Sequence, residues 1–193
     1  EIIGETAIDA YLPIKELILP EGVRYICEGS LTAMATLEYL HLPSTFAEYE
    51  QNSFSHFLAL KKITIADGNP KYYVKGNCLI ERASGTVILG TSESTIPTDG
   101  SIKHIGAAAF AGNTNLTSIV IPEGVVSVQV NAFAGCSSLN KVTFPKSLER
   151  IGACAFRRCD SLKSIELGVN VKYIEAEAFS VCKGLTQIIL PKQ

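Results

Sequence analysis

The sequence has no tryptophan, a single methionine and no excess of either charge, since 17 Lys and Arg residues face 19 Asp and Glu residues. A nucleic-acid-binding surface needs clustered basic residues, so we expect no nucleic-acid partner. No apolar run reaches the roughly 18 residues that a membrane-spanning helix needs, so we expect no membrane span. The hydrophobic fraction of 47% is nevertheless large enough to build a substantial core.

Motifs that mark common enzymes and metal proteins are also missing. The sequence contains no G-x-S-x-G elbow, no phosphate loop of the G-x-x-x-x-G-K type and no C-x-x-C pair. Its three histidines are His41, His56 and His104, and they fall at three different places in the repeat described next. Nothing in the pattern brings a nucleophile, a base and an orienting group together. We therefore predict a protein that is not an enzyme and needs no metal or cofactor.

What the chain does contain is a repeat of 23 residues. The stretch LTSIVIPEGVVSVQVNAFAGC (116–136) is followed by copies at 139–159 and 162–182 and by a partial copy that starts at Leu185. A fixed period in this range is typical of solenoids, in which each unit buries its apolar side against its neighbours. The register extends back to Ile8 with one enlarged step, which predicts about eight coils.

Each repeat predicts the same series of local structures. The pattern L-x-x-I-x-I predicts a short strand that pairs in parallel with the next coil, about 4.8 Å away. Proline then closes the strand, because it cannot donate to a ladder. A second short extended piece follows, and the Ala-Phe pair after it is expected to form one helical turn. The phenylalanines that fill the interior should form a single row: Phe110, Phe133, Phe156 and Phe179.

The enlarged step spans residues 67–94. Two apolar runs, 78–80 and 86–89, flank Ala83-Ser84-Gly85, which predicts a β-hairpin. Lys75-Gly76-Asn77 predicts another turn. We interpret this segment as a widened coil, because it is too short to bury a core of its own.

The six cysteines are predicted to be free thiols. Cys136, Cys159 and Cys182 occupy one inward place in consecutive coils, where neighbouring Cα atoms lie within disulfide range. Three residues in one row cannot all pair, however, and in-register side chains point the same way. Burial as small apolar residues is the simpler interpretation.

The full pattern, L-x-x-I-x-I-P-x-x-V-x-x-I-G-x-x-A-F-x-x-C, resembles the BspA-like, treponemal-type leucine-rich repeats of bacterial surface proteins. The resemblance covers nearly the whole chain. It implies one leucine-rich-repeat solenoid over 1–193, right-handed, with short parallel strands and short helical turns. It also implies an extracellular or cell-surface setting and a role in adhesion or protein binding. Since the chain starts at Glu1 in the middle of a repeat, we expect it to be a piece of a longer protein.

Two surfaces are candidates for contact with a protein ligand, such as a host or matrix protein. The outward columns of the main strands carry Tyr39, His41, Lys62 and Lys141, and the enlarged coil carries Tyr72, Tyr73 and Lys75. Aromatic residues are enriched at binding hot spots. The alternative is ordinary solvated surface, with the solenoid acting as a spacer that has no ligand of its own. An intracellular scaffold is a third alternative. We expect a monomer, with open strand edges as places for end-to-end contact.

Overall fold

A computed structural model describes residues 1–5, 7–8, 12–31, 34–50, 53–54 and 56–190 of the chain. The strands are numbered in chain order and form two columns, and a hairpin lies between the N-terminal and the C-terminal coils. The second-strand column contains β1 (Ile2–Ile3), β3 (Tyr25–Ile26), β5 (Glu48–Tyr49), β10 (His104–Ile105), β12 (Ser127–Val128), β14 (Arg150–Ile151) and β16 (Tyr173–Ile174). The main-strand column contains β2 (Glu16–Ile18), β4 (Tyr39–Leu42), β6 (Lys62–Ile65), β11 (Ser118–Val120), β13 (Lys141–Thr143), β15 (Ser164–Glu166) and β17 (Gln187–Ile189). The hairpin segment contains β7 (Tyr72–Lys75), β8 (Cys78–Glu81) and β9 (Thr86–Leu89).

The coils stack in the register that the repeat predicts. Tyr39 pairs with Lys62 and Ser118 pairs with Lys141, in both cases one period apart and in parallel strands. Along β4, the inward Leu40 and Leu42 are fully buried and alternate with half-buried outward residues. The prediction of a solenoid with short parallel strands is therefore confirmed.

The predicted helical turn at the Ala-Phe pair is wrong. Two residues before each of the four aligned phenylalanines, the backbone adopts a left-handed φ of 54° to 56°, at Ala108, Asn131, Cys154 and Glu177. Such residues interrupt a right-handed turn. Alternate N–H groups point to the next coil instead, so that Phe133 N donates to Ala155 O at 2.7 Å. The corner is thus a third ladder between coils.

The enlarged coil forms the predicted hairpin, with β8 and β9 antiparallel, and adds the strand β7, which was not predicted. The last hairpin strand pairs in parallel with β10, so it takes the place of a second strand in the stack. Among the described residues no hairpin strand pairs with a main strand, so β2-β4-β6 form one sheet before the hairpin and β11-β13 form another after it. The main-strand column is interrupted again further on, where β15-β17 form a separate sheet.

The hairpin also separates two apolar clusters. Because side chains alternate across a strand, Leu79 and Leu89 pack into the N-terminal cluster, while Cys78 and Ile80 pack into the C-terminal one. In the C-terminal cluster the predicted phenylalanine row is confirmed, with consecutive rings stacked 4.9, 5.0 and 5.4 Å apart. No helix in the described ranges is long and apolar enough to cross a membrane.

Candidate functional site

A hydrogen-bonded polar cluster lies on the outer face of the sheet β2-β4-β6. Tyr39 and His41 lie two residues apart on β4, so their side chains project from the same face of the sheet. The Tyr39 hydroxyl and the His41 Nδ1 each lie 2.8 Å from the Thr64 hydroxyl on the neighbouring strand. One threonine thus fixes both rings, so the cluster needs little ordering before it contacts a partner.

Lys62 completes this cluster, which we call the Tyr39 face: Tyr39, His41, Lys62 and Thr64. The Lys62 ammonium lies 5.8 Å from the centre of the Tyr39 ring, within the range of a cation–π contact. The adjacent Lys61 instead forms an ion pair with Glu38 at 2.8 Å. The hydrogen bond from Lys61 and the charges of Lys61 and Lys15 hold the pKa of the Glu38 carboxyl below its ordinary value. Lys62 has no such carboxylate partner within the described ranges, so its charge is available to a ligand.

Lys141 does not belong to the Tyr39 face. It lies on β13, beyond the hairpin and in a different sheet. Here it borders a groove of about 870 Å³ between β13 and β15, which do not pair with one another. Phe144, which takes the place of the smaller Ile121 and Leu167 of adjacent coils, packs edge-on against Phe156 with 5.6 Å between ring centres. The structure thus separates Lys141 from Tyr39, His41 and Lys62.

The three candidate residues of the hairpin differ in exposure. Tyr72, one of the three candidate contact residues, does not protrude, because its side chain is only 1% exposed. Its ring packs 5.0 Å from that of Phe46, and its hydroxyl donates to Ala47 O. Burial raises the pKa of Tyr72 above the ordinary value for a tyrosine. Tyr72 therefore covers the N-terminal core and presents almost no surface to a ligand.

Tyr73 and Lys75 remain accessible on the hairpin. Tyr73 is half-buried beneath the guanidinium of Arg82, whose central carbon lies 4.9 Å from the ring centre. The ammonium of Lys75 forms an ion pair with Asp99 at 2.5 Å and is thereby tied to the following loop. Arg82 was not predicted from the sequence, because a lone arginine between two predicted strands gives no sign of what its side chain covers.

Two asparagines close the coil next to the hairpin. Asn69 is buried, and its amide nitrogen donates to Phe46 O at 2.8 Å while its oxygen accepts from Tyr72 N at 2.8 Å. Asn77 has a left-handed φ of 59°, and its oxygen accepts from Ile63 N at 2.9 Å. Its amide nitrogen also donates to Lys61 O. The Asn77 side chain therefore takes the place of a paired strand at one end of β6.

The second-strand column carries further polar contacts that sequence reasoning did not single out. His104 Nδ1 lies 2.8 Å from the Ser127 hydroxyl in the next coil, and burial lowers the pKa of His104. Arg150 lies over the ring of the exposed Tyr173 at 4.7 Å and donates to Glu175 at 2.5 Å. These contacts join neighbouring coils and form no catalytic arrangement.

Three of the cysteines, Cys78, Cys136 and Cys159, are buried, and the other three, Cys27, Cys154 and Cys182, are half-buried. All six are free thiols. The thiols of Cys136, Cys159 and Cys182 donate to the carbonyl oxygens of Phe110, Phe133 and Phe156 respectively, at 3.1, 3.3 and 3.0 Å. Burial raises the pKa of the Cys136 thiol to about 12, which makes it a poor nucleophile at neutral pH. Across the described part of the chain, no three His, Cys, Asp or Glu side chains are placed to hold a metal ion.

Comparison with known proteins identifies the family. Residues 1–79 and 91–193 match the BspA type leucine rich repeat region, in six copies. The chain belongs to this family, and the unmatched residues 80–90 run from β8 to the residue after β9. No functionally curated protein matches the sequence.

Solved structures show the same fold. The pneumococcal vaccine antigen PcpA is 23% identical, with a TM-score of 0.77 over 86% of this chain and 42% of its own. A leucine rich cell surface protein from Faecalibacterium prausnitzii is 22% identical, with a TM-score of 0.70 over 91% of this chain and 59% of its own. A leucine-rich repeat protein from Bacteroides ovatus is 29% identical, with a TM-score of 0.59 over 98% and 41%. The chain thus spans less than two thirds of each of these structures.

Proposed function

We propose that the chain is a non-enzymatic protein-binding module that contacts its partner through the Tyr39 face. The supporting observation is the cluster in which Thr64 holds both Tyr39 and His41 at 2.8 Å, with Lys62 beside them. Rigid aromatic groups next to a free charge favour binding, because little side-chain freedom is lost on contact. A solenoid presents such groups on an extended surface.

The partner that we propose is a host or matrix protein, and the setting is the bacterial cell surface. Two of the similar structures support this setting, since one is a vaccine antigen and the other is described as a cell surface protein. Protease treatment of intact source cells tests the setting directly. Loss of the protein from intact cells is expected, whereas full protection would contradict surface exposure.

The binding test uses the purified chain on immobilised collagen, fibronectin, laminin and fibrinogen. We expect saturable capture by at least one of these proteins. The triple change Tyr39→Ala, His41→Ala and Lys62→Ala should abolish capture and leave the thermal melt within a few degrees of the original. The matched control is Ser118→Ala with Val120→Ala, which alters the corresponding columns of β11 and should leave capture unchanged.

The opposing outcome is equally clear. If none of the matrix proteins is captured, or if the triple variant binds as well as the original, the Tyr39 face is not the binding surface. In the first case the alternative function, a spacer with no ligand of its own, explains the result better.

A further inference from the structure

The hairpin leaves one edge of β6 without a strand partner. Lys62 N donates to Glu38 O at 3.1 Å and Ala66 N donates to Leu42 O at 2.9 Å, so the even-numbered residues of this strand bond to β4. In a parallel pair the intervening residues direct their peptide groups to the opposite side. Asn77 satisfies Ile63 N on that side. Within the described ranges no group bonds to the outward peptide groups of Ile65.

A slot of about 330 Å³ opens beside this free edge. Thr64 and Ile65 line one wall, and Tyr73 and Arg82 of the hairpin line the other. Its volume lies at the lower end of the range of about 300–1,000 Å³ that is usual for ligand sites. Thr64 belongs to both this slot and the Tyr39 face, so the two surfaces are continuous.

The positive charge in the slot belongs to Arg82, whose side chain is held in a fixed position. The Arg82 guanidinium lies over the Tyr73 ring, and its Nε donates to Asn69 O at 3.4 Å. These contacts leave its terminal nitrogens available, and no carboxylate lies within salt-bridge distance of them in the described part of the chain. A guanidinium with a free pair of N–H groups matches a carboxylate in a two-point contact. Asp67 also lines the slot, so the slot carries one acidic and one basic side chain.

We propose that this slot binds an extended segment of a partner protein, which adds to the edge of β6 and directs an acidic side chain to Arg82. Backbone bonds to Ile65 supply affinity for any strand, and Arg82 selects the carboxylate. The proposal rests on the protein-binding function above, but it concerns the slot beside β6 and not the Tyr39 face. The proposal gives the hairpin coil a role. The Asn77 side chain bonds to Ile63 N at one end of the β6 edge, and within the described ranges it leaves the outward peptide groups of Ile65 without a partner.

The test uses the ¹⁵N-labelled chain and three short peptides, acetyl-Thr-Val-Glu-Val-Thr-amide and its counterparts with central Gln or Lys. We expect the Glu peptide to shift the Ile65 amide signal saturably and to slow its hydrogen exchange. The Lys peptide should bind about tenfold more weakly, in line with the loss of one charge-assisted contact. Arg82→Glu should reverse this preference, and Arg82→Gln should remove it.

Arg150→Gln is the matched control, because Arg150 also lies over a tyrosine but belongs to the other strand column. It should leave peptide binding unchanged. The proposal is overturned if no peptide shifts the Ile65 signal, if the Glu and Lys peptides bind equally, or if the shifts occur only at the edge of β17. These results are separable from a failure of the Tyr39 face, because matrix-protein capture and the Ile65 signal are measured independently.

Discussion

Replacing the central ring of the phenylalanine row should remove a large part of the stability of the stack. Phe133 is fully buried between Phe110 and Phe156, with ring centres 4.9 and 5.0 Å away. Phe133→Ala removes the ring and leaves a cavity that the neighbouring coils cannot fill without breaking the bond from Phe133 N to Ala155 O. Truncations of this kind cost about 3–5 kcal/mol. Native domains are typically stable by about 5–15 kcal/mol, so the variant should unfold at a much lower urea concentration.

Phe179→Ala provides the matched control. This ring lies in the same row, but it is half-buried and has one stacked neighbour, Phe156, at 5.4 Å. Because the Phe179 ring is only half-buried, its removal should lower the free energy of unfolding by about 1–2 kcal/mol. Urea unfolding followed by far-ultraviolet circular dichroism measures both variants. Equal losses at Phe133 and Phe179, or a loss below about 1 kcal/mol at Phe133, would show that the row is not the interior of the stack.

Three further predictions concern the corners, the hairpin and the thiols. Val181 has a φ of 58° at the position that Gly112 and Gly135 occupy in earlier coils, so Val181→Gly should stabilise the protein by about 1 kcal/mol in a thermal melt, and a lower midpoint would contradict the strain. Asn77→Gly keeps the left-handed backbone but removes the bonds to Ile63 N and Lys61 O, so it should cost about 1–3 kcal/mol in urea unfolding; an unchanged midpoint would show that these bonds are dispensable. Burial raises the pKa of Cys78 to about 11 and that of Cys136 to about 12, from an ordinary value of 9.0. Because unfolded thiols ionise first, stability should fall as the pH rises from 9 towards 12, and Cys136→Ala should reduce that slope; an identical slope would argue against a buried Cys136.

The repeat could be predicted from the sequence because its main determinants are side-chain size and period. Phe133 and Phe156 are 23 residues apart, and the same spacing recurs in the strand register from Tyr39 to Lys62. The corner was predicted wrongly because a short Ala-Phe segment is compatible with a helical turn. The backbone conformation of the corner depends on hydrogen bonds to carbonyl groups of the next coil, such as the bond from Phe133 N to Ala155 O. The sequence of a single repeat does not show these bonds.

The candidate site was less predictable, because it depends on a contact between distant segments. The pairing of β4 with β6 places Thr64 next to Tyr39 and His41, and this follows from the register. The position of Arg82 over Tyr73 depends on the twist of a hairpin with an irregular register between Leu79 and Ile80. Tyr72 and Tyr73 look equivalent in the sequence, yet side-chain alternation along β7 buries the first and leaves the second accessible.

Residue-resolved hydrogen exchange of β6 in the free protein tests both the stacked coils and the open edge that the hairpin creates. Thr64 and Ala66 should exchange slowly, since their amides bond to β4, and Ile63 should be protected by Asn77. Ile65 should exchange much faster than these three residues. Fast exchange at Thr64 and Ala66 would contradict the stack of coils, and an Ile65 amide as slow as its neighbours would show that the edge is closed.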